Sequence, residues 1–109
     1  MSSMRLVLAN DYSVGWPLWG EDGPMEDGEP RAVPAELATD LRAWARRFTT
    51  SFDDELGWPD RSVADQHFAE AASLLQRLAA ALPDCAIELR VWETRVHRAA
   101  TDPSGTGRA

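Results

Sequence analysis

Residues 62–82 read SVADQHFAEAASLLQRLAAAL, and this stretch decides the class of fold. Ala64, Phe68, Ala71, Leu75, Leu78 and Leu82 recur at intervals of four, three, four, three and four, the spacing that lines one face of a helix. The Ser62 hydroxyl suits a helix cap, Asp65 stands near the positive end of the helix dipole, and Pro83-Asp84 stops the run. Such a helix is about 30 Å long at roughly 1.5 Å per residue. Its apolar face must be covered by the rest of the chain.

The first cover lies upstream. From Pro34 to Phe48, the residues Leu37, Leu41, Trp44 and Phe48 recur at four, three and four, with Ala38 and Ala45 beside them. Proline at the opening position loses nothing, because the first amides of a helix have no partner within it. Arg42, Arg46 and Arg47 lie off the stripe, and the last two suit the negative end of the helix. Residues 49–61 join the two helices. Phe52 is predicted to return to the core while Asp53, Asp54 and Glu55 face water.

Further out, Arg5-Leu6-Val7-Leu8-Ala9 reads as a buried strand stopped by Asn10-Asp11. Ile87, Leu89 and Val91 alternate with Glu88, Arg90 and Trp92, the pattern of a half-buried strand. The order predicts an α+β domain: strand, long aromatic and acidic loop, two-helix hairpin, strand, with the helices covering one face of a small sheet. Residues 1–98 form this domain, and 99–109 read as a disordered tail. Two strands alone are marginal in water. Either the aromatic loop adds a third short strand, or two chains pair edge to edge in a homodimer.

That loop runs from Asn10 to Val33 and shows no helical period. Connections longer than about 12–15 residues are usually functional or disordered. Its first half, DYSVGWPLWG (11–20), is rich in rings and predicted to be packed; its second, EDGPMEDGEP (21–30), is acidic and predicted to be mobile. Gly15-Trp16-Pro17 recurs as Gly57-Trp58-Pro59. Glycine permits a sharp turn and proline holds the tryptophan extended, so each tripeptide fixes the direction of one indole. The rings belong either to the protein's own core or to a partner. The second choice makes Tyr12, Trp16, Leu18, Trp19 and Trp58, with Glu21, Asp22, Glu26 and Asp27, a candidate partner-binding surface.

Charge narrows the partner. Eighteen acids face eleven basic residues, all arginine, for a net charge of −7. Such a field repels nucleic-acid phosphates and anionic lipid and attracts a basic protein. Nothing points to a cofactor or metal: there is no phosphate loop, no paired-histidine motif, and Cys85 is the single cysteine. His67 sits at the margin of the helix stripe and His97 near the end of the chain; Asp53-Asp54-Glu55 lacks the alternation of a calcium loop. The apolar run Leu6–Ala9 is too short for a signal peptide and no stretch approaches a membrane span, which predicts a soluble cytoplasmic protein.

Asp11-Tyr12, then Pro17-Leu18-Trp19, the acidic glycine-containing stretch and Leu41-Arg42-Ala43-Trp44-Ala45 resemble a family of small uncharacterised bacterial proteins. These share a D-Y…P-L-W beginning and an L-R-x-W helix. The resemblance covers about residues 5 to 92. It implies that the aromatic loop is a shared feature, and it brings no catalytic residue or ligand.

The leading expectation is a non-enzymatic interaction domain that binds a basic protein, most concretely by toxin neutralisation of the immunity type. The first alternative is a small-ligand or catalytic domain with a pocket at the end of the first strand, lined by Asp11, Tyr12, Trp16 and Trp44. The second is a structural homodimer subunit.

Overall fold

A computed structural model describes residues 4–12 and 14–96. Four strands and two helices follow one another as β1 (Met4–Leu8), β2 (Leu18–Gly20), β3 (Gly23–Pro24), α1 (Ala35–Ser51), α2 (Arg61–Ala81) and β4 (Cys85–Leu89). The four strands form one mixed sheet in the order β3-β2-β1-β4. This is the expected α+β architecture. The expected tail and His97 lie outside the described residues.

The aromatic loop does supply sheet. β2 pairs antiparallel with β1 through Val7–Trp19 and Leu8–Leu18, and β3 folds back on β2 across the turn at Glu21-Asp22. β4 lies parallel to β1, with Leu6 beside Ile87 and Leu8 beside Leu89. Because side chains alternate along a strand, Leu6, Leu8, Leu18, Ile87 and Leu89 share one face. They meet Leu37, Leu41 and Trp44 of α1 and Ala71, Leu74 and Leu78 of α2 in the main core. Arg5, Val7, Trp19, Ala86 and Glu88 fall on the opposite face, which the helices leave uncovered. A second, smaller core under the helix hairpin joins Phe48, Phe52, Trp58 and Ala64.

Both helices differ at their ends from the expectation. α1 runs one turn beyond Phe48, and the Thr49 and Thr50 hydroxyls bond back to the Ala45 and Arg46 carbonyls there. Asp60, not Ser62, caps α2: its carboxylate accepts the Val63 amide at 3.0 Å and the Ser62 hydroxyl at 2.6 Å. A carboxylate takes both bonds at once, so the serine becomes a donor to the cap. These bonds hold the Asp60 carboxyl below its usual range. The buried line of α2 is Ala64, His67, Ala71, Leu74 and Leu78, while Phe68 and Leu75 are half-buried. The helix is thus rotated toward a histidine that a purely apolar stripe passes over.

The acidic half of the loop is fastened to α1. The Arg42 guanidinium grips the Asp27 carboxylate through two bonds, at 2.8 and 2.9 Å, and stacks over the Trp16 ring at 5.2 Å. That grip lowers the Asp27 carboxyl below its ordinary range. The Trp16 indole donates to the Glu29 carbonyl at 2.9 Å. Among the described residues no helix is long and apolar enough to cross a membrane.

Gly57 closes the turn after α1. It holds φ at +88°, and a Cβ there would run into the Arg95 backbone. Gly57→Ala is therefore expected to cost about 2–3 kcal/mol, from left-handed strain and from displacing Arg95. Urea denaturation checks this; a loss below about 0.5 kcal/mol would show that the segment near Arg95 yields freely.

Candidate functional site

Three polar side chains meet in the interior. Glu93 is fully buried, Asn10 is 2% exposed and His67 is 3% exposed. Asn10 lies two residues past β1, His67 lies on the buried line of α2, and Glu93 follows β4. The Glu93 carboxylate accepts His67 Nε2 at 2.8 Å and Asn10 Nδ2 at 3.0 Å on one oxygen, and the Trp92 amide at 3.1 Å on the other. An ionised carboxylate only accepts, so His67 carries a hydrogen on Nε2. Asn10 Oδ1 and His67 Nδ1 have no hydrogen-bond partner among the described residues.

Burial pushes the Glu93 carboxyl up, and the bonds from His67 and Asn10 outweigh it, leaving the group below its ordinary value of 4.5. Removing a carboxylate from water is costly unless several donors replace the solvent. Here they do. Aromatic rings wall the cluster: Trp44 stacks on His67 at 4.7 Å, and Trp58 packs tilted against the same ring at 4.5 Å. The Trp44 indole donates to the His67 carbonyl at 3.1 Å, and the Trp58 indole donates to the Glu93 carbonyl at 2.9 Å. With all three members sealed in, the arrangement is a clamp between β1, α2 and the segment after β4.

The clamp carries a surface feature. Asp11-Tyr12 follows Asn10 and Trp92 precedes Glu93, so joining Asn10 to Glu93 brings Tyr12 and Trp92 together. Their rings meet edge to face at 5.5 Å, and both rest on the buried Phe48 ring at 5.3 and 5.5 Å. The Trp92 indole donates to the Asn10 carbonyl at 2.8 Å. Tyr12 nevertheless remains 42% exposed and Trp92 44%.

The residues predicted to bind a partner are distributed differently. Trp16, Leu18 and Trp58 pack inside as part of the two cores. Trp19 is half-buried on the uncovered face of the sheet and donates its indole hydrogen to the Ala9 carbonyl. Glu21, Asp22, Glu26 and Asp27 are exposed along the β2–β3 hairpin and the segment after it. Tyr12 groups with Phe48 and Trp92. Of the proposed small-ligand lining, Trp16 and Trp44 are buried, and neither lines two open cavities among the described residues, of about 360 and 350 Å³. The first lies over Arg5, Val7, Ala86 and Glu88; the second lies over Asp40, Arg47, Glu70 and Arg77. Among the described residues no group of three histidine, cysteine or acidic side chains is arranged to hold a metal ion.

Sequence reasoning read Asn10 only as the stop of the first strand and passed over Glu93. The available signal was His67, which stands three residues after Ala64 and four before Ala71, on the face that is buried.

A search among curated proteins finds no significant match. The family described as Serratia CdiI immunity protein-like matches residues 4–93, from the start of β1 through the clamp carboxylate. That span covers the sheet, both helices and the Tyr12–Trp92 corner, and the chain belongs to the Serratia CdiI immunity protein-like family.

Proposed function

We propose that the chain neutralises a basic protein toxin by binding it in the cytoplasm, without chemistry of its own. Immunity proteins act by binding a toxin, and the family match over residues 4–93 carries this reading. The net charge of −7 supports a basic partner, because opposite fields speed encounter and favour the matched pair. Burial of the His67–Glu93–Asn10 cluster, the most concentrated set of chemistry-bearing groups described, supports a binding role over a catalytic one.

Co-expression provides the test. Bacterial toxin domains of contact-delivered systems are induced singly, with and without this chain, and colony counts are compared. At least one toxin is expected to lose its lethality when the chain is present, with recovery of viable cells by several orders of magnitude. Lethality unchanged across the panel would remove the reading.

A further inference from the structure

Deepening that reading, and resting on it, we propose that the toxin docks on the Tyr12–Trp92 corner through an apolar recess flanked by lysine or arginine. Binding energy at interfaces concentrates on a few rigid aromatic anchors, and freezing flexible side chains lowers affinity. Both anchors at this corner are already frozen. Trp92 is tied by its indole to the Asn10 carbonyl and by its amide to Glu93, and both rings lean on Phe48. Because the indole hydrogen is used internally, the exposed part of Trp92 offers apolar ring surface. Leu56, 48% exposed, adds apolar area from the neighbouring turn.

The charges around this corner match a basic partner. Partial burial and then Asp54 raise the Tyr12 phenol above its ordinary range, with Asp53 and Asp11 adding and Arg95 opposing. Glu55 is exposed in the same turn. Asp53 fixes that turn by accepting the Glu55 and Leu56 amides at 2.8 and 2.9 Å. Arg95, the cation at the corner, directs its guanidinium to the Glu55 backbone carbonyl. Asp11, Asp53 and Asp54 therefore act on the Tyr12 phenol against Arg95, with Glu55 exposed in the same turn as Asp53 and Asp54.

The β2–β3 hairpin, the rival surface, lacks this combination. Trp16 and Leu18 are in the core, Asp27 is gripped by Arg42, and Trp19 is half-buried with its indole bonded to Ala9. Glu21, Asp22 and Glu26 remain as charges without a well-exposed ring beside them. The buried clamp fits the same picture, since it holds together the two chain segments that bear Tyr12 and Trp92.

The probe is a toxin domain whose lethality the wild-type chain suppresses in co-expression. Two charge-reversal variants, Asp54→Arg with Glu55→Arg and Glu21→Arg with Asp22→Arg, are compared by calorimetric titration after circular dichroism has shown that each keeps its fold. The corner pair is expected to raise Kd on the order of 100-fold, and the hairpin pair by no more than about threefold. Trp92→Phe, which keeps a ring on Phe48 and loses the outer indole surface, is expected to raise Kd roughly tenfold. A corner pair within about threefold of wild type, or a hairpin pair that loses as much as the corner pair, would overturn this assignment while leaving toxin binding intact. If the wild type suppresses no toxin, the functional reading fails first and takes this surface with it.

Discussion

Glu93→Ala is expected to destabilise the fold by about 3–5 kcal/mol, because removing one partner of a buried charged network strands the others. His67 Nε2, Asn10 Nδ2 and the Trp92 amide all lose their acceptor at once, in a space that water does not reach. Glu93→Gln keeps the shape but turns one of the two acceptor oxygens into a donor. It faces either the Trp92 amide or the His67 and Asn10 donors, at a cost of about 1–3 kcal/mol. The pH dependence has a definite sign. The folded carboxyl lies below its ordinary 4.5, so its contribution is fully present above that pH and is lost as pH falls through the folded value. The gap between wild type and Glu93→Gln should therefore narrow in acid. Denaturant melts at pH 7 and at pH 3.5 measure both effects; a Glu93→Ala loss below about 1 kcal/mol at pH 7 would show that the clamp is dispensable.

Trp58→Ala is expected to cost about 3–5 kcal/mol, the usual range for deleting a buried indole. The ring is 1% exposed and lies on His67 at 4.5 Å and on Phe52 at 5.2 Å. Its removal opens a cavity at the junction of the smaller core and the clamp, and frees the Glu93 carbonyl that its indole hydrogen satisfies. Trp58→Phe should recover roughly half of the loss, since it refills most of the volume without restoring the bond. A thermal melt of Trp58→Ala that matches the wild type within 2 °C would place the ring on the surface, contrary to the packing described.

The legible part of the fold was the part written in local spacing. The 3.6-residue stripes of both helices and the apolar cores of β1 and β4 gave the helix hairpin and the two longest strands. β2 and β3 are three and two residues long and rich in glycine and proline, too short for any period to show. The twin Gly-Trp-Pro tripeptides do fix two indoles, and both point inward, where each donates to a backbone carbonyl, of Glu29 and of Glu93. No spacing announces that destination, because the acceptors lie 13 and 35 residues away.

The clamp was less legible still. Glu93 bonds to Asn10 across 83 residues and to His67 across 26, and a glutamate beside a tryptophan near the chain end reads as solvated. Burying it makes sense only when its three donors are seen together. Tyr12 was legible as a candidate contact and Trp92 as an outward ring, yet their pairing depends on the parallel placement of β4 beside β1. Sequence alone did not specify that pairing.

The most direct test of the account is a stoichiometric one. A purified toxin domain that the chain suppresses in cells is titrated with the purified chain, and bound fraction and residual toxin activity are followed at low and at high salt. Neutralisation by binding predicts activity falling to zero at one chain per toxin, with an affinity that weakens as salt rises because opposite charges drive the encounter. Inactivation by a small fraction of an equivalent, or a complex indifferent to salt, would contradict it.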